Sequence, residues 1–149
     1  MSGASINGIV RRGDRLSRLS GKQSEQRLIN MLIQKLNDCP EFVAGDGTLL
    51  RELLHPDKQA IALRYSLAHA IVPVGQTSVP HSLSTTEVYY ILSGVGEMHI
   101  NDETQTVEPG DAIYIPPHAK QFIYNSGTEP LIFICMVDPA WQKVDETIY

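Results

Sequence analysis

Short runs of alternating apolar and polar residues follow one another along most of the chain from residue 48 onward. Each run is rich in β-branched, aromatic or small residues and ends near a cluster of Gly, Pro, Asn, Asp or Ser. The runs predicted as strands span residues 48–54, 61–74, 88–92, 97–100, 104–107, 112–115, 121–124 and 131–137. Many short strands joined by turns, with no helical periodicity between them, predict an all-β sandwich or barrel.

The segment before the first strand has no single periodicity. Its first 23 residues mix Gly, Ser and Arg, which is typical of a loosely ordered arm. Further on, Leu28, Met31 and Leu32 have helical spacing, while alternation from Met31 onward also fits a strand. We favour a short helix to about residue 30, followed by a strand. The predicted organisation is an N-terminal extension over residues 1–30 and a barrel domain over residues 31–149.

Charge is distributed unevenly along the 149 residues, whose net charge is −5. The extension carries six basic residues against two acidic ones, and the rest of the chain carries six basic residues against fifteen acidic ones. Because phosphate binding needs a basic face, the acidic body argues against nucleic-acid binding by the barrel.

Location is predicted from two further features of the sequence. No apolar run of about 18 residues is present, so we expect no membrane span, and the N-terminus lacks the apolar segment of a secretory signal. Cys39 and Cys135 have no metal-type spacing and fit a reducing compartment. A cytoplasmic location is therefore expected.

Three polar residues fall on strand faces that a closed barrel would turn inward. His81 shares a face with Leu83, Glu87 shares one with Tyr89, and Gln121 shares one with Ile123. An unpaired polar group in an apolar interior costs several kcal/mol, so these groups must pair with one another, water, a ligand or a metal ion. Leu83, Tyr89 and Ile123 are the predicted apolar contacts of a bound ligand.

Residues 75–94 resemble the first sequence motif of the cupin superfamily. In words, that motif is a glycine, five residues, a histidine, one residue, a second histidine, three or four residues, a glutamate, six residues and a glycine. Gly75, His81, Glu87 and Gly94 match it with the correct spacing, and Leu83 stands at the second histidine.

Residues 110–125 resemble the second cupin motif. Gly110, Pro116 and Asn125 match it, while His118 replaces a glycine and Gln121 replaces the histidine. The resemblance extends over about residues 61–137 and implies a jelly-roll barrel, also called a double-stranded β-helix. A histidine in place of the turn glycine predicts a positive φ at His118.

The resemblance also implies a divalent metal, which the family binds with three histidines and one glutamate. This chain keeps His81 and Glu87 and offers Gln121 as a neutral third ligand for Fe, Mn, Zn, Ni or Cu. If the preceding turn shifted inward, His118 would complete a set of two histidines and one carboxylate. The alternatives are a metal-free His81–Glu87 pair, a Gln121 amide satisfied by water or His81, and a rim position for His118.

The sequence supports three hypotheses of function. The first is a mononuclear metal enzyme of isomerase, dioxygenase or lyase type, in which Glu87 or a bound water acts as the base. The second is a non-catalytic barrel that binds a sugar, a sugar phosphate or a similar small polar metabolite. The third is an interaction module whose basic extension docks an acidic partner. In each case we expect a homodimer, because exposed sheet edges need covering, and a tail (residues 140–149) that packs over the barrel or a partner subunit.

Overall fold

The computed structural model describes residues 31–149, and β-strands dominate this part of the chain. The strands are β1 (Phe42–Val43), β2 (Leu49–Leu54), β3 (Ser66–Val72), β4 (His81–Leu83), β5 (Thr86–Ser93), β6 (Gly96–Ile100), β7 (Glu103–Val107), β8 (Ala112–Ile115), β9 (Gln121–Asn125), β10 (Leu131–Asp138) and β11 (Glu146–Ile148). Two 3₁₀ turns, Leu36–Asp38 and Lys143–Asp145, complete the regular structure of these residues. The all-β class predicted from the sequence is confirmed.

The strands form two antiparallel sheets that face each other across one apolar core. One sheet has six strands in the order β1-β2-β3-β10-β5-β8, and the other has five in the order β11-β4-β9-β6-β7. Alternation sets which side chains enter the core: along β10, Leu131, Phe133, Cys135 and Val137 are buried and the residues between them are not. This arrangement confirms the jelly-roll barrel.

Most of the predicted strands coincide with strands of the structure, with a difference at β3. The sequence pattern predicts a strand from residue 61, whereas β3 begins at Ser66, which pairs with Val137 of β10. Two residues after Val137, the segment that follows strand β10 reaches Pro139, which has no N–H to donate. The β3–β10 ladder therefore ends there, and residues 61–65 lie outside it.

The strand predicted to start at residue 31 is wrong. Residues 31–35 have no regular structure and lead into the first 3₁₀ turn. Met31 and Ile33 are exposed and pair with no neighbouring strand, so alternation alone does not hold this stretch in a sheet. The helix predicted up to residue 30 lies outside the described residues. Within the described part, no helix is long and apolar enough to cross a membrane.

The C-terminal tail packs back onto the barrel, as predicted. Its strand β11 pairs with β4, with Glu146 opposite Leu83 and Ile148 opposite His81. The amide of Tyr149 also donates a hydrogen bond of 2.9 Å to the carbonyl oxygen of Pro80. The tail thereby becomes the edge strand of the five-stranded sheet and lies directly beside His81.

Candidate functional site

A cavity of about 240 Å³ lies between the two sheets. Its apolar wall includes Phe42, Leu50, Leu83, Tyr89, Phe133, Val137 and Trp141. Its ionisable side chains are Asp46, Glu52, Lys58, His81, Glu87 and Glu146, together with the thiol of Cys135. An apolar enclosure with a few converging polar groups is the usual form of a small-molecule site.

His81, Glu87 and Gln121 lie close together inside the barrel. His81 on β4 is opposite Gln121 on β9, and Glu87 is contributed by β5 of the other sheet. Nε2 of Gln121 donates a hydrogen bond of 2.6 Å to Oε2 of Glu87. His81 is 3% exposed and Glu87 is 6% exposed, while Gln121 is fully buried. His81 and Glu87 line the cavity, and Gln121 supports Glu87 from behind its wall.

The imidazole of His81 has a defined orientation. Nδ1 lies 2.8 Å from the carbonyl oxygen of Val79, and because a carbonyl only accepts, Nδ1 is the donor. When His81 is neutral, Nε2 therefore carries the lone pair, and it makes no hydrogen bond within residues 31–149. The carboxylate of Asp46 lies behind the ring, with Oδ2 4.0 Å from Nδ1. The ring is thus fixed so that Nε2 is available to accept a proton or a hydrogen bond.

Glu87 is the carboxyl group most perturbed by its surroundings. Its pKa is raised to about 8, chiefly by burial; the hydrogen bond from Gln121 opposes the shift, and the nearby carboxyl groups of Asp46 and Glu146 add smaller upward contributions. At neutral pH the side chain is therefore mostly the uncharged acid. Because Gln121 donates to Oε2, the acid proton can reside on Oε1.

Three further carboxyl groups line the cavity, those of Asp46, Glu52 and Glu146, and the sequence analysis predicted none of them as site residues. Oδ1 of Asp46 accepts hydrogen bonds from the amide of Thr48 at 3.1 Å and from its hydroxyl at 2.8 Å, which hold the carboxylate in the turn before β2. Burial raises the pKa of Glu146 and Asp46 adds to the effect, whereas His81 opposes it. In the sequence, the glycines on either side of Asp46 indicate only a turn, and nothing local marks Glu146 as a site residue.

The predicted apolar contacts of the ligand divide into two groups. Leu83 and Tyr89 are buried and line the cavity, and the Tyr89 ring lies 4.5 Å from that of Phe133, measured between centroids. Ile123 is fully buried in the main core and is not among the residues that line the cavity. Alternation correctly places Ile123 on the inward face, but Ile123 lies at a different position along the barrel axis from the cavity and packs in the core.

His118 lies in the exposed turn between β8 and β9. Its φ is 64°, so the positive φ predicted for a histidine at a glycine position is confirmed. The backbone amide of His118 donates a hydrogen bond to the carbonyl oxygen of Leu83, which anchors the turn at the rim. The imidazole is not among the side chains that line the cavity.

The family's set of three histidines and one glutamate does not fit these residues. Leu83 and Gln121 stand at two of the histidine positions, and within residues 31–149 no three His, Cys, Asp or Glu side chains are grouped to hold a metal ion. A reduced set remains, composed of Nε2 of His81, the carboxyl group of Glu87 and Oε1 of Gln121. A neutral amide oxygen is a weak ligand for a transition metal.

An antiparallel jelly-roll barrel with a buried polar site between its sheets is the architecture of the cupins. The family described as Cupin domain matches residues 68–137. An uncharacterized protein of Methanocaldococcus jannaschii is 42% identical over 108 residues, which cover 72% of this chain and 86% of that protein. The chain therefore belongs to the cupin superfamily, as the sequence motifs predicted.

Two other known proteins are similar to this chain. The glucose-6-phosphate isomerase of Thermococcus onnurineus is 25% identical over 134 residues, which cover 82% of this chain and 66% of that enzyme. The polyketide cyclase RemF of Streptomyces resistomycificus matches with a TM-score of 0.64 and 21% identity, over 72% of this chain and 79% of the cyclase. At that identity the structural match shows a common barrel fold.

Proposed function

We propose that this cupin binds a small organic metabolite in its cavity and acts on it by proton transfer between His81 and Glu87. The observation that carries the proposal is that these two groups line one enclosed, largely apolar cavity in complementary roles. Neutral His81 offers the lone pair of Nε2, because Nδ1 donates to Val79. Glu87 offers an acidic proton, which its burial favours.

The two groups have distinct tasks in this mechanism. Nε2 of His81 removes a proton from the substrate and becomes an imidazolium, which the carboxylate of Asp46 stabilises from behind the ring. Glu87 donates its proton to a substrate oxygen and becomes a carboxylate, which keeps the hydrogen bond from Gln121. In an isomerisation His81 returns its proton to a substrate carbon and Glu87 takes one back from a substrate oxygen. In a dehydration the proton from Glu87 leaves with the departing hydroxyl group as water, and the proton on His81 passes to the Glu87 carboxylate through solvent, which restores both groups. The wall formed by Leu83 and Tyr89 excludes bulk water.

A ligand screen on the purified full chain tests the binding half of the proposal. A metabolite library is scanned by thermal shift with and without EDTA, and a hit is expected to raise Tm in both conditions. Leu83→Trp fills the cavity and is expected to abolish the shift. His81→Ala, which removes the base but leaves the wall open, serves as a second variant if Leu83→Trp fails to fold. A metabolite that raises Tm equally for the wild type, Leu83→Trp and His81→Ala would show that it does not bind in this cavity.

Activity on the hit tests the catalytic half. Glu87→Gln keeps the acceptor for Gln121 but removes the acid proton, so kcat is expected to fall by about 10²–10⁴-fold. The same variant is expected to retain ligand binding within a few-fold. A ligand that binds but is unchanged by the wild-type protein would favour the non-catalytic binding barrel.

A second candidate is a metal enzyme that uses the reduced set of His81, Glu87 and Gln121. One observation favours it: Oε1 of Gln121 is buried and has no hydrogen-bond partner among the described residues. His118, on the rim, is the remaining candidate ligand. When bound, a divalent metal would act as a Lewis acid toward a substrate oxygen. Elemental analysis of the wild-type protein and of His81→Ala decides this candidate, since a stoichiometric metal that His81→Ala loses would establish it.

A homodimer remains part of the proposal. The outer face of the six-stranded sheet exposes Tyr90, Leu92 and Tyr114, and an apolar patch of this kind is typical of a protein contact. The neighbouring strand β10 adds Ile134 and Met136, opposite Tyr90 and Val88, to the same face. A second copy of the chain would cover this face with an identical apolar surface.

A further inference from the structure

We infer that the metabolite bound in the cavity is an organic cation, a molecule with a protonated amine on a compact apolar body. The inference rests on the proposed function, since it names the class of molecule that the same cavity selects. It does not depend on whether the bound molecule is then converted.

The charge of the cavity favours a cationic ligand. Asp46, Glu87 and Glu146 reach it from the turn before β2, from β5 and from β11. Lys58 is the one lysine or arginine among the described lining residues, and it is paired with Glu52 at 2.7 Å. Glu87 is mostly uncharged at neutral pH, and no lysine or arginine of the described lining is left to neutralise Asp46 and Glu146. An anionic ligand would meet carboxyl groups without a compensating cation.

The hydrogen-bonding groups of the cavity wall also favour a cation. Nε2 of neutral His81 is an acceptor, and the imidazole is buried, lines the cavity and has no hydrogen bond at Nε2 within residues 31–149. The carboxylates of Asp46 and Glu146 also only accept when ionised. An ammonium group is the complement of such a wall, because it has three N–H donors and no acceptor. A phosphate or a carboxylate has the opposite character.

The rest of the cavity wall suits a cation that carries an apolar body. Tyr89, Phe133 and Trp141 line the cavity, and aromatic rings attract cations at short distance. Leu83 and Val137 add aliphatic surface for an apolar body. The volume of about 240 Å³ is far more than a bare ion needs. Since a cavity of about 150 Å³ can hold benzene, a single ring with a short side chain is of suitable size.

Asp46 and Glu146, which would select for a cation, come from segments that flank the barrel strands shared with the family. Neither residue lies within residues 68–137, the part that matches the Cupin domain family. Glu146 arrives because β11 pairs with β4, and its carboxyl oxygen packs against Gly45, where a Cβ would stand 2.9 Å from Oε2. Burial raises the pKa of Glu146, His81 opposes the rise, and repulsion from Asp46 adds to it. A bound cation would relieve that repulsion.

The experiment compares three molecules of one shape and different charge on the full chain. Benzylamine, benzyl alcohol and benzoate are titrated by calorimetry at pH 7.5, with EDTA present to remove metal ions. Benzylamine is expected to bind at least about tenfold more tightly than benzyl alcohol, as one hydrogen bond between charged groups would give, and benzoate is expected not to bind. A parallel titration with MgCl₂, MnCl₂ and ZnCl₂ distinguishes an inorganic ion from an organic cation.

Two variants locate the selectivity. Glu146→Gln keeps the shape of the wall and removes one charge, so the preference for the amine is expected to shrink several-fold while binding of the alcohol is unchanged. Glu103→Gln, on the exposed strand β7, is the matched control and is expected to bind like the wild type.

Several outcomes would overturn the inference. They are equal affinity for the amine and the alcohol, benzoate binding as tight as benzylamine, no binding of any of the three, or a preference that Glu146→Gln leaves intact. Equal affinity for the amine and the alcohol would refute only the inference that the ligand is a cation, and it would leave the proposed function of the cavity unaffected. Failure of the proposed function has a different signature, which is a ligand insensitive to both Leu83→Trp and His81→Ala.

Discussion

Gln121 on β9 donates a hydrogen bond of 2.6 Å to Oε2 of Glu87 on β5, which joins the two sheets inside the barrel. The amide stands where the second cupin motif has a histidine. In this chain the Gln121 amide donates a hydrogen bond to the buried carboxyl group of Glu87, and burying that carboxyl group without a donor would cost free energy.

Replacing Gln121 with leucine therefore lowers stability. The leucine side chain is close in size but cannot donate, so Oε2 of Glu87 loses its partner in a fully buried setting. The expected loss in the free energy of unfolding is about 1–3 kcal/mol, measured by urea denaturation. Gln105→Leu on the exposed strand β7 is the control and is expected to change stability little. Equal stability of the two variants would show that the Gln121–Glu87 bond contributes nothing.

The raised pKa of Glu87 makes stability depend on pH. Its pKa is about 8 in the folded protein and near 4.5 in the unfolded chain. Below pH 4.5 both states carry the proton, and as pH rises toward 8 only the unfolded state loses it. This group's contribution to folding stability therefore falls with rising pH across that window, by up to about 1.4 kcal/mol per pH unit.

Glu87→Gln isolates this effect, because glutamine mimics the uncharged acid and does not titrate. We expect the free energy of unfolding of the wild type, relative to that of the variant, to decrease steadily between pH 5 and pH 8. Parallel pH profiles for the two proteins would contradict the assigned shift. The expectation applies to the ligand-free protein.

Much of the fold and part of the site were accessible from the sequence, for a simple geometric reason. Side chains on a strand alternate with a period of two, so His81, Glu87 and Gln121 could be placed on inward faces before any pairing was known. The same rule placed Ile123 inward but could not say how far it lies along the barrel, and it lies in the core. Alternation determines the face and not the depth.

Asp46 and Glu146 could not be predicted because they reach the cavity through long-range pairing. Glu146 is positioned by a three-residue strand opposite Leu83, more than sixty residues away in sequence. No local pattern encodes that register. Asp46 sits in a turn whose glycines were evident, but the direction of its carboxylate depends on Thr48 and on the position of His81.

The contact between Gly45 and Glu146 leads to a prediction about the tail. A methyl group at position 45 would stand 2.9 Å from Oε2 of Glu146, so Gly45→Ala must displace that carboxyl group. We expect Gly45→Ala to destabilise the protein by about 1 kcal/mol, and the cost to vanish when Glu146→Ala is also present. A double-mutant cycle measured by thermal or urea unfolding gives the coupling. Additive effects would mean that the Glu146 side chain does not pack there.

Restoring the family's ligand set should create a metal site. Leu83 and Gln121 stand at two histidine positions of the cupin motifs, on strands β4 and β9 beside His81 and opposite Glu87. The double substitution Leu83→His with Gln121→His would supply three imidazoles and one carboxylate. Elemental analysis is expected to give close to one Mn, Fe, Ni or Zn per chain, above the wild-type content. The same double variant carrying Glu87→Ala is the control, and equal metal content in the two would argue against a site at these strands.

The outer face of the six-stranded sheet predicts a dimer contact. Tyr114 is 62% exposed there and lies opposite Val88, next to Tyr90 and Met136 in the neighbouring rows. The six strands average about six residues, so at about 4.8 Å between strands and about 3.3 Å per residue this face presents roughly 550 Å² in projection, which is near the lower end for one side of a protein interface. Tyr114→Glu places a charge in this apolar face, so it is expected to shift the molecular mass measured by light scattering from dimer to monomer. Thr106→Glu, exposed on the five-stranded sheet, is expected to leave the mass unchanged. A wild-type monomer at micromolar concentration would contradict the dimer. A dimer that survives Tyr114→Glu and dissociates with Thr106→Glu would place the contact on the five-stranded sheet instead.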